Sequence, residues 1–473
     1  MDYASSTTGI VEPARRTPHR HQRYGADMNR ALNDGDVVSM ALADAFLVGA
    51  WTIRSMTERA ASVYRQSPPL TADLRTLATA VRRRYATAPR DRPAELARFI
   101  TLRIAVRNLV SLTRRGDGIA WKFAPVTMGR SAWPVPPITS IDELANGFGV
   151  TVGQLRWLAD ERGLEQSVTD ERLRNYVYRW NAKGGNRWRL IEAPKDRLKK
   201  IQRILLIDVL GSVPVHERAF GFVRGRSAVD AAACHVARDV VIRIDLEDFF
   251  TTIPRAKVAA IFRTIGYPEP IARLFAALTT NQTPTALLRD ERLTPTMAMK
   301  LRTPHLPQGA PSSPTLANLA AYRLDCRLSG LATSFRFTYT RYADDLVFSG
   351  DRLSSTRLTS LLGLMQAIIE DEGFVVNHHK TKVMASSARQ QVTGIVVNDR
   401  LNVARAERDA LRAILHNCSR SGPQPQNTDE LPDFRAHLLG RISWVAHCNP
   451  DAGERLRESF ARINWDESTS ADR

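Results

Sequence analysis

The chain is short of cysteine, of patterned histidine, of long apolar runs and of acid, and each shortage closes off a class of function. Its four cysteines, Cys234, Cys326, Cys418 and Cys448, lie far apart with no pair at metal-ligand spacing. Neither a disulfide framework nor a thiolate zinc site is expected, and the thiols read as reduced and cytosolic. The ten histidines form no HExxH pattern, which removes another common zinc motif. No apolar stretch approaches the ~20 residues that span a bilayer. The most apolar, Val37–Ile53, carries Asp44 and reads as a buried helix. The polar segment Met1–Gly25 holds Arg15, Arg16, Arg20 and Arg23 without an apolar core, so it reads as a flexible basic arm and not as a secretory signal. No internal repeat is visible.

The deficit of acid is a surplus of base. Lys and Arg number 67 against 49 Asp and Glu, a formal charge of +18 with a sequence pI near 10.3. An extended polyanion is the natural partner, with a membrane surface as the rival, and no membrane partner is expected. At 473 residues the chain has room for two or three domains with their own cores.

Helical periodicity fills Val37–Tyr64, Leu70–Ala86 and Pro93–Thr113, broken at Ser67-Pro68-Pro69 and near Pro93. Arg82-Arg83-Arg84, Arg103, Arg107, Arg114 and Arg115 line these helices, as a solvated face or a binding face. Pro125–Pro137, with four prolines, reads as a linker. Ser140 and Glu143 form a capping-box pattern that opens a small helical unit running to Leu158, with Gly149 at its turn; it reads DNA or packs on its neighbour.

From Tyr176 the texture changes to short strands. Tyr176–Trp180 and Trp188–Ala193 flank a turn-rich segment, a hairpin pattern, and Asp196–Val213 follows as a helix. Beyond about residue 398 come three helical segments, Ala404–Cys418, Asp429–His447 and Ala452–Ile463.

The acids that remain are placed oddly. Asp344 and Asp345 divide the strand-like runs Phe335–Tyr342 and Leu346–Ser349, and Asp245 follows the apolar strand Val240–Ile244. Alone, such a pair is an ordinary hairpin turn and Asp245 an ordinary strand terminator. Carboxylates at the ends of buried strands also repel one another, unless a positive charge sits among them. Mg²⁺ is the usual one, and two such ions roughly 3.5–4 Å apart can clamp the attacking and leaving oxygens of a nucleotidyl transfer. Together with the basicity, this reads as a template-dependent polymerase.

The motifs around these acids resemble the reverse transcriptases, and among them the bacterial retron type, over about residues 140–465. In order they are Ile191-Glu192-Ala193-Pro194-Lys195, Ala219-Phe220-Gly221-Phe222, Gly225-Arg226-Ser227, Asp245-Leu246-Glu247-Asp248-Phe249-Phe250, Leu306-Pro307-Gln308-Gly309-Ala310-Pro311, Tyr342-Ala343-Asp344-Asp345, Lys380-Thr381-Lys382 and Val392-Thr393-Gly394. The last matches the retron Val-Thr-Gly signature. The retron Asn-Ala-x-x-His motif falls on Ala231–His235, where alanine stands in place of asparagine and removes an amide.

The resemblance implies an α+β right-hand polymerase preceded by a mostly helical N-terminal extension. It implies an extension over 1–130, a linker and small helical unit over 131–164, fingers over 165–235, a palm over 236–398, a thumb over 399–465 and a tail over 466–473. Asp245, Asp344 and the backbone oxygen of Leu246 are then expected to hold two Mg²⁺ ions, with Mn²⁺ as a substitute, and Asp345 is expected as the third carboxylate of the metal site, at closer or at supporting range. Lys380, or its rival Lys382, is expected to protonate the pyrophosphate or bind phosphate. Lys183 and Arg189 are expected on the triphosphate, Gln308 on the incoming nucleotide, and Phe250 as the steric gate against a 2′-OH, with Phe249 in the core. His235, Thr393 and Gly394, with the thumb arginines Arg435 and Arg441, are expected to meet primer or RNA.

The implied activity is RNA-directed DNA synthesis from deoxynucleoside triphosphates in the cytoplasm. The implied template is one structured noncoding RNA, primed from an internal 2′-OH and copied into a branched RNA–DNA product. Host RNase H would trim the template, because about ten residues after the thumb leave no room for such a domain, and an effector protein would act in phage defence. A polymerase making untemplated or protein-primed DNA, and an inactive RNA-binding protein, are the alternatives.

Overall fold

The computed structural model describes residues 34–63, 71–89, 93–103, 128–138, 140–184 and 187–465. The expected basic arm, Arg107, Arg114, Arg115 and the side chain of Lys183 lie outside the described residues. The chain divides into two compact units, one of residues 1–127 with 139–146 and one of 128–138 with 147–473.

In the first unit, helices α1 (Asp34–Leu47), α2 (Ile53–Ala61), α3 (Thr71–Arg84) and α4 (Pro93–Thr101) close on Leu42, Phe46, Met56, Leu74, Leu77, Val81, Leu96 and Ile100. The single helix expected over Val37–Tyr64 is two. Thr52 caps α2 by accepting from the Ser55 amide, and the freed carbonyls of Ala45, Phe46 and Ala50 accept from the Arg59 guanidinium (2.6, 3.0 and 3.0 Å). A Cβ on Gly49 would lie 2.7 Å from that guanidinium, so the glycine leaves room for Arg59 to reach the carbonyls.

Helix α5 (Ile141–Gly147) has Ser140 at its N-cap, accepting from the Glu143 amide at 3.1 Å, and Gly149 (φ +67°) leads on to α6 (Val152–Leu158). In the second unit α7 (Leu164–Ser167) precedes the antiparallel hairpin β1 (Tyr176–Gly184) and β2 (Arg187–Pro194). Helix α8 (Asp196–Ile204) stops short of the expected Val213. The chain widens into a π turn over Leu205–Val209 and tightens over Leu210–Ser212, burying Leu205, Val209 and Leu210. Helix α9 (Ala228–Ala233) leads to the four-stranded antiparallel sheet that carries the acids.

That sheet has the order β4-β5-β3-β6, with β3 at Val240–Leu246, β4 at Thr338–Tyr342, β5 at Asp345–Gly350 and β6 at Val376–Ala385. β3 is central and buried at every position but Arg243, so apart from Arg243 and Asp245 its sequence is apolar rather than alternating. Helices α10 (Arg255–Ile265), α11 (Glu269–Thr279), α12 (Pro295–Arg302), α13 (Ser313–Ala320) and α14 (Tyr322–Ser334) come between β3 and β4, and α15 (Ser355–Asp371) between β5 and β6. The hairpin β7 (Gln391–Val392) and β8 (Ile395–Val396) shares a core with α16 (Arg405–Ser421), α17 (Phe434–Cys448) and α18 (Pro450–Ala461), built on Val392, Ile395, Leu411, Leu415, Leu438, Ile442, Leu456 and Phe460. Among the described residues no helix is long and apolar enough to cross a membrane, and all four cysteines are free.

Candidate active site

The strand register brings the three aspartates together. Asp245 pairs with Asp345 across β3 and β5, and Tyr342 pairs with Asp345 across β4 and β5, which leaves Ala343 and Asp344 as a two-residue turn. The turn is bound to the end of β3, where the Leu246 amide donates to the Asp344 carbonyl at 2.9 Å. Ala343 has φ +56°, a left-handed conformation that costs a non-glycine residue free energy and persists only where its surroundings enforce it.

Those surroundings are visible. A Cβ on Gly221 would lie 2.5 Å from the Ala343 nitrogen, so the Ala219–Phe222 motif needs glycine to press on the turn. Arg341, fully buried, donates to the Ala343 carbonyl (3.1 Å), to Asn318 (2.8 Å) and to both oxygens of Asp325 (2.7 and 2.6 Å). Burial works against its charge, and the Asp325 carboxylate outweighs that. Asn318 in turn donates to the Gly221 carbonyl at 2.9 Å, closing the frame.

Two cations serve the three carboxylates. Lys380 Nζ lies 3.0 Å from each oxygen of Asp245, and Asn377 Nδ2 donates to Oδ2 at 3.0 Å. Lys380 reaches in from an irregularity in β6, because Arg243 pairs with Lys382 and Asp245 with Asn377, leaving residues 378–381 opposite Ile244 alone. Arg243 grips Asp345 with both nitrogens, Nε to Oδ1 at 2.9 Å and Nη2 to Oδ2 at 2.7 Å. Asp345 was expected as the third carboxylate, at closer or at supporting range. Both its oxygens accept from Arg243, which favours the supporting place. Lys382 is exposed and makes no such contact.

Asp344 is left over. Among the described residues no Lys or Arg pairs with its carboxylate, and burial pushes its carboxyl up, with Asp245 and Asp345 adding to the rise. Burial likewise raises Asp345, against the pull of Arg243. Three carboxylates against two cations leave one uncompensated negative charge in a partly buried cluster, which suits a divalent cation at Asp344 and Asp245. As the side chains stand, no group of three or more His, Cys, Asp or Glu is gathered to hold one among the described residues, because Lys380 and Arg243 hold two of the three acids.

The other expected residues fall into two sets. Phe250 is half-buried, with its ring 5.6 Å from Phe249 and 6.1 Å from Phe222, whereas Phe249 packs in the core against Phe374. Gln308 is half-buried, its carbonyl accepting from the Glu192 amide at 2.7 Å, and Arg189 is exposed on β2 opposite Asn181. Thr393 (φ +49°) and Gly394 (φ +88°) are the two turn residues between β7 and β8. With both angles positive this is the turn geometry that suits tight hairpins, which explains the glycine.

One expectation for primer or RNA contact is corrected, that of His235. The half-buried Thr393 has its hydroxyl within hydrogen-bond reach of the Ala228 (3.2 Å) and Val392 (2.8 Å) carbonyls, which places the turn beside α9. His235 is fully buried, with Nδ1 2.7 Å from the Ser349 hydroxyl and Nε2 2.7 Å from the Thr340 hydroxyl, and no ring nitrogen is left for RNA. It joins the segment after α9 to β4 and β5. On the last three helices Arg405 and Arg412 share Asp409 and Arg457 pairs with Glu454. Arg435, which lies over the Trp465 ring, and Arg441 have no acidic partner among the described residues.

Sequence reasoning assigned no role to Arg243, Arg341 or Asn377. The signal for the first two was a charge inside an otherwise apolar strand; for Asn377 there was none.

Residues 181–397 match the family model described as reverse transcriptase (RNA-dependent DNA polymerase). The chain is 39% identical over 319 residues to the retron Mx65 reverse transcriptase of Myxococcus xanthus, covering 67% of this chain and 70% of that one. It is 37% identical over 348 residues to the retron Mx162 reverse transcriptase of the same organism, covering 71% and 68%. To the retron Ec86 reverse transcriptase of Escherichia coli it is 29% identical over 333 residues, covering 70% and 91%.

Proposed function

The chain belongs to the retron reverse transcriptases, RNA-directed DNA polymerases, and from that premise we propose that it copies one structured noncoding RNA into a branched, RNA-linked single-stranded DNA. The observation that carries the reading is the acid cluster: Asp245 at the end of β3 beside the Asp344 turn, one positive charge short of neutrality.

Members of the family generally use divalent metal ions, and Mg²⁺ is the ion we assign to Asp245, Asp344 and the Leu246 carbonyl. Such ions, when bound, neutralise charge at the reacting phosphate and favour in-line attack by the primer hydroxyl. Lys380, which pairs with Asp245 here, would be free to meet the triphosphate and its leaving pyrophosphate were that carboxylate to hold a cation. Arg243 keeps Asp345 fixed. Phe250 stands beneath the deoxyribose, Gln308 and Arg189 hold the nucleotide, Gly394 meets the primer end, and Arg435 and Arg441 hold RNA phosphates. In this reading β1 and β2 belong to the fingers (165–235), the four-stranded sheet to the palm (236–398) and α16–α18 to the thumb (399–465). The setting we propose is cytoplasmic, with host RNase H and an effector protein as partners in defence against phage.

Sequencing the nucleic acid that copurifies with the protein, before and after RNase and debranching treatment, tests the reading. A DNA complementary to one RNA and joined to it supports it. DNA with no RNA template, or DNA joined to protein, overturns it.

A further inference from the structure

Behind the Gln308 turn lies a buried charge pair that the catalytic reading does not use. Glu192 on β2 is 1% exposed and His305 is wholly buried, with His305 Nε2 2.8 Å from Glu192 Oε2. The other carboxylate oxygen accepts from Asn281 Nδ2 (2.9 Å) and Thr283 Oγ1 (2.7 Å). His305 Nδ1 lies 2.7 Å from the Thr303 carbonyl. A carbonyl and a carboxylate only accept, so both ring nitrogens must donate and the ring is an imidazolium. Burial opposes that charge, and the Glu192 carboxylate outweighs it, so the ring titrates above its ordinary value.

The pair is built into the backbone on both sides. His305 and Asn281 exchange amide-to-carbonyl hydrogen bonds, both at 2.9 Å. Three residues on, the Gln308 carbonyl accepts from the amide of Glu192 itself at 2.7 Å. Gly309 (φ +124°) approaches β2 so closely that a Cβ there would lie 3.0 Å from Ile191 Cγ2 and 3.1 Å from the Glu192 carbonyl oxygen. Glu192 therefore grips the Gln308 segment twice, by its amide at the turn and by its carboxylate at His305. Arg189 sits three residues before it on the same strand.

A buried ion pair is a poor device for stability, since apolar side chains of the same volume serve as well or better. It is a good device for fixing one element in register with another, because only one geometry satisfies every donor. We infer that Glu192 and His305 are positioning residues: the pair fixes the Gln308 turn against the β1–β2 hairpin and thereby sets how tightly the incoming nucleotide is bound. The inference rests on the assignment of Gln308 to the nucleotide.

The test is steady-state primer extension by the full chain as Glu192→Gln, His305→Gln, Gln308→Ala and Glu192→Gln with Gln308→Ala, with thermal midpoints and RNA affinity measured alongside. Glu192→Gln preserves shape while removing the charge and replacing one acceptor oxygen with an amide donor. The expected result is a KM for deoxynucleotide raised about tenfold in Glu192→Gln and in His305→Gln with kcat little changed, since small misplacements of a binding group are amplified in kinetics. In the Gln308→Ala background Glu192→Gln should then add less than about twofold, because the two act through one contact. If Gln308→Ala raises KM and Glu192→Gln does not, the positioning role is overturned and the Gln308 assignment stands. If neither raises KM, both fall. A lowered midpoint with kcat and KM changed additively overturns the inference in favour of a merely structural pair.

Discussion

His235 offers a sharp test of the internal geometry. Its ring is satisfied in the neutral form by two hydroxyls, Ser349 and Thr340, each at 2.7 Å. Burial, with the charges of Arg238 and Arg218, pushes the imidazole down to about 3, from an ordinary 6.5. As the pH falls below 6.5 the unfolded chain takes up a proton that the folded chain refuses, so stability falls with falling pH. The slope is about 1.4 kcal/mol per pH unit, or about 2 kcal/mol between pH 6.5 and 5. The loss continues until the pH nears 3. Other groups titrate in the same window, so the measurement is a difference: urea unfolding of wild type and His235→Gln at pH 7 and at pH 5. Glutamine places an amide between the same hydroxyls and has nothing to titrate. The variant is expected to be less stable than wild type at pH 7, and to lose about 2 kcal/mol less on going to pH 5. Equal losses in the two proteins would mean that His235 is not held neutral in the fold.

Other outcomes follow from the same geometry. Phe250→Ala should admit ribonucleotides, read as the ratio of deoxy- to ribonucleotide incorporation; an unchanged ratio makes Phe250 a packing residue. Arg341→Met leaves Asp325 charged and wholly buried and should cost about 3–5 kcal/mol, seen as a lower thermal midpoint, with part recovered when Asp325→Leu is added. Replacing Arg435 and Arg441 with Gln should weaken binding of the cognate RNA and flatten its salt dependence by about one unit of slope per lost phosphate contact. Polymerisation on a generic primed template should suffer less, and equal losses on both would place RNA choice elsewhere.

How far the sequence carried the account depended on the range of the interaction. Asp245 and the Asp344 turn were legible because acids terminate apolar strands, a local pattern with few physical solutions. The β1–β2 hairpin, the strands flanking the turn and the three last helices were legible from periodicity and turn residues. The break at Gly49 was missed because it depends on Arg59 returning from the next helix to hold three carbonyls. The end of α8 was missed because no glycine or proline marks it before Gly211; the burial of Leu205, Val209 and Leu210 sets it. His235 was read as a ligand contact because a polar residue in a motif looks functional. Its partner Ser349 is more than a hundred residues away in the chain and cannot be inferred from local pattern. Arg243 carried no legible role in the sequence, since only the register of β3 against β5 places it diagonally from Asp345.

The most direct test of the acid cluster as the polymerase centre is primer extension on an RNA template with deoxynucleotides and Mg²⁺, comparing wild type with Asp344→Asn while RNA affinity is measured in parallel. The carboxylate serves the reaction and the basic surface carries binding, so wild type should make DNA copies and Asp344→Asn should make none while holding RNA equally well. Synthesis by Asp344→Asn within about tenfold of wild type would contradict the assignment.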